Sequence, residues 1–307
     1  ESSERSIYVK TMLDLGQIYR ENRQWEQSIQ YYQQALEKAE SKEERINSNT
    51  GVAQVSVWLG NDTKVQDAVN LLLSEYEQEK NLSHSMFVIG EEYYSSAFTD
   101  NTFARINPDK KDNLYKAIQV WKNNVDFPDD AIFKKDTYFF IGMTYMYAED
   151  YPTAVKWYED IVQQWPDFGM NGNIIRITGI CYAAIAEKGG EYSKEALLKA
   201  EECWSRVINQ YPDAKLSYDA GVRLAKLKES KEQWNEVIDA YMFYLSRCGK
   251  DSRKNHVTFK LGWAYEQSGQ TDLAYAAYCD YLQNAPAGDK YITSVAKGLL
   301  RLEGAQK

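Results

Sequence analysis

Apolar residues recur along this chain at intervals of three and four, the spacing of helices that bury one face, and the helical stretches come in pairs joined by short polar turns. One pair carries Gly142 and Tyr145, then Ala154 and Tyr158, then Pro166. The same spacing returns 120 residues downstream as Gly262, Tyr265, Ala274, Tyr278 and Pro286. Gly and Tyr three apart lie one helical turn from each other, so the Gly admits a neighbouring helix while the Tyr fills the space beside it. The closing Pro supplies no backbone donor and stops the second helix. A helix-turn-helix unit stacked on copies of itself explains such a recurrence.

These two units place the others. The first has Gly16, Tyr19, Tyr32 and Ala35, with Ser28 at the small position. The third has Gly90 and Tyr93, and its second helix resumes only at Ala117 and Trp121, with Pro128 as terminator. The fifth has Gly179, Tyr182, Ala200, Trp204 and Pro212. Two degenerate units align on Ser56, Leu59, Ala68 and Leu72, and on Ala225, Lys228, Val237, Tyr241 and Tyr244. The predicted units are 9–42, 45–80, 83–131, 135–168, 172–213, 218–251 and 255–288, in one domain over 1–307. A helix at 289–303 is expected to cap the stack with a polar outer face. Insertions lengthen the third unit near 95–113 and the fifth near 186–194. The first of these carries Phe98, Phe103 and Ile106 among polar residues, which predicts a loop that packs partly and shapes one rim of the array.

This pattern resembles the tetratricopeptide repeat, a unit of about 34 residues. The resemblance implies an all-α, right-handed solenoid of seven helix pairs and a cap, whose first helices line a concave groove that holds a protein or peptide. Carried over position by position, the family's groove frame singles out Phe87, Glu91 and Tyr94; Phe139, Met143, Met146 and Tyr147; Arg176 and Ile180; Lys226 and Glu229; and His256, Phe259, Trp263 and Glu266. Aromatic and Met side chains there offer an adaptable apolar contact area. The same residues could instead pack against the neighbouring repeat, or enclose a small hydrophobic ligand in a cavity lined by Tyr94, Phe139, Met143 and Tyr147. Relatives that grip acidic chaperone tails need Lys or Arg followed by Asn at set groove positions. The corresponding pairs here are Leu13 and Gln17, Phe87 and Glu91, Phe139 and Met143, and Phe259 and Trp263, so that clamp is not expected. The connections Trp165-Pro166-Asp167 and Tyr211-Pro212-Asp213 also look like those of bacterial envelope repeat proteins. That likeness implies a cell-envelope assembly scaffold in the periplasm or at the outer membrane, with the cytoplasm as the alternative; the absence of an initiating Met before Glu1 fits a processed or truncated chain.

Composition narrows the chemistry. With 45 acidic against 36 basic residues the formal charge is −9, and no stripe of Lys and Arg tracks a phosphate backbone, so nucleic acid is not an expected partner. No apolar run approaches the roughly 20 residues that cross a bilayer. Cys181, Cys203, Cys248 and Cys279 form no C-x-x-C pair and no metal-ligand spacing with His84 or His256. Cys181 and Cys203 fall on opposite helices of one unit, where either a bridge or two half-buried thiols is conceivable. No nucleophile elbow, phosphate loop, zinc helix or dinucleotide fingerprint occurs, and Gly249-Lys250-Asp251-Ser252 reads as a turn. Neighbouring carboxylates such as Glu91-Glu92, Asp129-Asp130 and Glu201-Glu202 point about 100° apart on a helix and do not face one bond. The expectation is a scaffold with no catalytic site, cofactor or metal. Its oligomeric state is open.

Overall fold

The computed structural model describes residues 2–77, 79–100, 105–128, 131–190, 193–211, 214–247 and 253–305. Phe103, Asp129, Asp130, Pro212, Cys248 and the turn Gly249-Lys250-Asp251-Ser252, all singled out by the sequence, lie outside the described residues. The chain is an all-α solenoid of helical repeats that divides into two compact units, Glu1–Trp157 and Tyr158–Lys307. The first unit holds α1 (Ser2–Glu21), α2 (Trp25–Lys38), α3 (Lys42–Trp58), α4 (Asp62–Tyr76), α5 (Leu82–Ser96), α6 (Asp112–Lys122), α7 (Lys134–Tyr147) and the start of α8 (Tyr151–Gln164). The second holds the rest of α8, then α9 (Asn171–Glu187), α10 (Ser193–Gln210), α11 (Ala214–Ser230), α12 (Trp234–Arg247), α13 (Lys254–Gln267), α14 (Thr271–Asn284) and α15 (Ile292–Ala305). Odd-numbered helices are the first members of pairs, and they also touch one another, α1 on α3, α3 on α5, α9 on α11 and α13 on α15.

Five pairs close by the same turn. Arg23, Gly60, Glu149, Glu232 and Gly269 adopt a left-handed backbone, with φ of 59°, 68°, 63°, 57° and 77°. The next residue's N–H then reaches back to a carbonyl in the last turn of the first helix: Gln24 to Tyr19, Asn61 to Ser56, Asp150 to Tyr145, Gln233 to Lys228 and Gln270 to Tyr265, all within 2.9–3.0 Å. This caps carbonyls the helix leaves open and reverses the chain in three residues. It also corrects one alignment. Ser56 occupies the place of Tyr19, so the residue matching Gly16 is Ala53 rather than Ser56, and the second pair's small position is Val65 rather than Ala68. With neither Gly nor aromatic to mark it, this pair has no anchor that fixes its frame in the sequence.

The spaced anchors hold helices together by letting a ring lie on bare backbone. A Cβ added at Gly90 would stand 2.5 Å from Trp121 Cδ1, and one at Gly179 would stand 2.5 Å from Trp204 Nε1. Where the ring is an indole, its N–H also bonds a carbonyl of the first helix: Trp121 to Phe87 at 2.9 Å, Trp204 to Arg176 at 3.3 Å. Two phenol anchors find a carboxylate instead, Tyr278 to Glu266 at 2.7 Å and Tyr241 to Glu229 at 2.9 Å. Tyr278 is gripped from two helices, because a Cβ at Gly262 or at Gly298 would each approach the ring to 2.6 Å. Tyr32 lies likewise against Gly16 and Gly51. Ala154, Ala200 and Ala274 are fully buried, as are Tyr93, Tyr158, Tyr182 and Tyr265 nearly so, whereas Pro166 and Pro286 stand exposed just past α8 and α14. Tyr19 and Tyr145 are half-buried, Tyr19 stacking on Tyr31 at 5.1 Å.

The third pair's insertion folds back on itself. Phe98 bridges Ile106, Asn107 N–H bonds Ala97 C=O at 2.8 Å, and a 3-10 turn at Pro108–Lys110 leads into α6. Phe98 is buried against Tyr94 and Tyr147 at ring separations of 5.0 and 5.1 Å. The exposed side of α15 is mostly Thr293, Ser294, Lys297, Arg301 and Glu303, with Ala296 and Leu300 as apolar exceptions. Cys181, Cys203 and Cys279 are free thiols, and burial pushes Cys181 up to about 12 and Cys203 to about 11. No helix among the described residues is long and apolar enough to cross a membrane.

Candidate functional site

In the first unit the inward sides of α1, α3 and α5 form a half-open trough of about 760 Å³. Helical spacing assembles it: Lys10, Leu13, Gln17 and Arg20 repeat every three or four residues on α1, and Asn47, Thr50 and Gln54 do so on α3. On α5, His84 and Val88 complete the wall, with His84 set against Phe133 at 5.2 Å and its pKa lowered by burial. Lys10, Asp14, Gln17 and Asn47 are exposed. At one end Ser41 and Glu44 cap α3 in a reciprocal box, and the hydrogen bond from Arg5 holds the Glu44 carboxyl down at about 2.

At the trough's other end a polar network ties three first helices together. Glu92 of α5 pairs with Arg20 of α1, accepts from Gln54 Nε2 of α3 at 3.2 Å, and accepts from Trp58 Nε1 at 2.6 Å. Trp58 in turn stacks on Trp25 at 4.9 Å. Glu91, one residue away, has no hydrogen bond among the described residues. Burial first, then the charges of Glu92 and Asp136, raise it to about 7. Asp136 on α7 is raised as well, chiefly by burial. The spacing of Arg20, Gln54 and Glu92 offers no signal in the sequence, since the three are joined only when α1, α3 and α5 stack.

The apolar groove residues are divided by the structure. Phe87 and Tyr94 are core, 6% and 4% exposed. Phe87 stacks on Phe133 at 4.6 Å and meets Phe140 edge-on, while Tyr94 is covered by Phe98 of the insertion and by Phe140. These two therefore leave the set available to a partner. Tyr147 is half-buried against Phe98, and Phe139, Met143 and Met146 are half-buried on α7. Phe259 packs flat on Tyr291 at 4.6 Å. Trp263 stands edge-on to Trp234 at 5.1 Å with Lys260 Nζ 4.8 Å above its ring. Two further troughs, of about 600 Å³ between α4 and α6 and about 460 Å³ beside α9 and α10, lie elsewhere among the described residues. None of the three is lined by Tyr94, Phe139, Met143 or Tyr147.

In the second unit the first helices are laced by ion pairs. Arg176 of α9 bonds Asp219 of α11 at 2.6 Å, and Arg223 shares the same oxygen at 3.0 Å. Lys260 of α13 reaches Glu229 of α11 at 3.5 Å, and Arg301 of α15 forks onto Glu266 of α13 at 2.7 and 3.0 Å. Arg176 also bonds Asn173 Oδ1, so it is already committed on two sides.

Models of the tetratricopeptide repeat match residues 11–46 and 257–287, the first and seventh helix pairs. The C-terminal part of a TPR repeat-containing protein from Cytophaga hutchinsonii is similar in fold, with a TM-score of 0.57 at 15% identity over 94% of this chain and 99% of that one. The apo form of RapI is similar at a TM-score of 0.50 and 12% identity, over 94% of this chain and 79% of that one. No curated protein matches the chain by sequence. Residues 11–46 and 257–287 thus carry tetratricopeptide repeats, and helix pairs between them share the recurrent turn and the ring seated on glycine.

Proposed function

We propose that the chain acts without catalytic chemistry of its own and takes an extended segment of a partner protein into the trough formed by α1, α3 and α5. Repeats of this kind serve in general as protein-interaction scaffolds. The observation that supports this site is the trough's lining. Lys10, Asp14, Gln17 and Asn47 are exposed along successive first helices, and helix packing uses none of them. The carboxamides of Gln17 on α1 and Asn47 on α3 can donate to and accept from a peptide backbone, and a cleft of this volume is in the range that binds small ligands. The Arg20–Glu92–Gln54 network, which ties α1, α3 and α5 together at one end of the trough, lowers the entropy that binding must offset. Half-exposed Phe139, Met143 and Met146 on α7 extend the available surface with apolar contact.

A photo-crosslinking residue at Gln17 or at Asn47 should capture the same partner in cells, and one at Lys64, exposed on α4, should not. Equal capture from Lys64 would count against the trough as the binding site.

A further inference from the structure

We infer that one water molecule is held inside the first unit, between Ser83 of α5, Asn124 just past α6 and Thr137 of α7, as a built part of the fold. The three residues are 3%, 0% and 0% exposed, and they meet where three helices join. The carboxamide of Asn124 connects them, its Nδ2 donating to the Ser83 C=O and to Thr137 Oγ1, each at 3.0 Å. A carbonyl only accepts, so the amide atom facing it is the nitrogen, and the orientation of the carboxamide is fixed. Its other atom, Asn124 Oδ1, has no protein partner, and neither has Ser83 Oγ. Thr137 accepts from Asn124, while its own O–H donates to nothing among the described residues.

Buried polar atoms without a partner are rare, and here they are gathered around a single carboxamide. What they lack is specific. Two hydroxyl hydrogens and one amide oxygen are matched by a molecule that accepts twice and donates once, which water does, and buried water makes about three such bonds. Ser83 Oγ and Asn124 Oδ1 do not bond each other, yet the same carboxamide touches the carbonyl of Ser83. The gap between them is therefore of the size of one small molecule. A monovalent cation would also meet oxygens there, but none of the three residues brings a carboxylate to offset its charge, and an uncompensated buried charge is costly. Lys134 already carries an ammonium into this junction, where it donates to the Phe127 C=O at 2.6 Å. The water thus adds a bridge between the first turns of α5 and α7 that the side chains do not make directly.

Nothing in this inference depends on what the trough binds. Ser83→Ala separates the cases by sign. Deleting a buried hydroxyl that bonds nothing removes a desolvated group and strengthens folding, whereas deleting one that bonds a water weakens it. The folding equilibrium constant from urea unfolding should fall roughly three- to tenfold in Ser83→Ala, and a constant that stays level or rises overturns the inference. A crystal structure of the full parent chain, soaked in a thallium(I) salt, gives an independent reading should the variant not fold. Density within hydrogen-bond length of both Ser83 Oγ and Asn124 Oδ1, with no anomalous signal from thallium, is expected. An anomalous peak at that point marks a cation instead, and no density there, at a resolution that shows other internal waters, leaves the two oxygens bare. Either result overturns the inference.

Discussion

Replacing Glu91 with Gln removes a carboxyl that the fold holds at an unusual affinity for its proton. Burial is the largest cause, the neighbouring charges of Glu92 and Asp136 add to it, and Arg20 opposes it, and the sum moves the group from 4.5 to about 7. The folded chain therefore binds this proton more tightly than the unfolded chain does. Its contribution is fully present below pH 4.5 and is lost progressively as pH rises to about 7, after which it no longer changes. At about 1.4 kcal/mol per pH unit, the ionised carboxylate costs on the order of 3 kcal/mol above pH 7. Glutamine keeps the shape and carries no charge. Glu91→Gln should thus match the parent chain at pH 4 and exceed it in stability by up to about 3 kcal/mol at pH 8. Urea unfolding followed by circular dichroism gives the total, and amide exchange across α5 gives the local share, since repeat arrays can open in parts. The Glu44 carboxyl, lowered from 4.5 to about 2, changes the stability of parent and variant alike near pH 4 and cancels from the comparison. A stability difference that is the same at pH 4 and pH 8 would mean that the Glu91 carboxylate is solvated, and the reasoning would fall.

Gly90→Ala places a methyl against the fully buried ring of Trp121, whose N–H bond to Phe87 resists displacement, and should cost roughly 1–3 kcal/mol by overpacking; a midpoint within 0.2 M urea of the parent, on the order of measurement error, would show that the ring can move. Opposite effects are expected at two equivalent turns. Gly269→Ala should destabilise by about 1 kcal/mol and Glu149→Gly should stabilise by somewhat less, because a Cβ disfavours the left-handed backbone that both positions adopt. Thermal denaturation of each variant checks the signs, and the same sign for both would refute the shared turn geometry.

The fold class was legible because its signals are local and repeated. A Gly three residues before a Tyr, a small residue four before an aromatic, and a Pro at each end are constraints that any one helix pair imposes on its own sequence. Where those marks are missing, as between Ser56 and Leu72, periodicity alone left the frame three residues out, and the left-handed Gly60 supplied the correction. The candidate site was less legible. Phe87 and Tyr94 stand at groove positions by count, yet Phe133 and the insertion's Phe98 cover them. Counting along a helix gives the direction of a side chain, and what lies over it comes from another part of the chain.

The sequence by itself thus determined the paired helices, the Gly and aromatic anchors of the marked pairs, and the absence of the familiar catalytic motifs. Only the tertiary structure decided that Gly51 and Gly298 of the next helices also press on Tyr32 and Tyr278, that Arg20, Gln54 and Glu92 meet, and that Arg176 and Arg223 compete for Asp219. The physical reason is separation along the chain. Contacts within a pair recur at fixed spacing and mark the sequence, whereas contacts between first helices join residues about 35 to 70 apart through stacking, and no periodicity records which partner each will find.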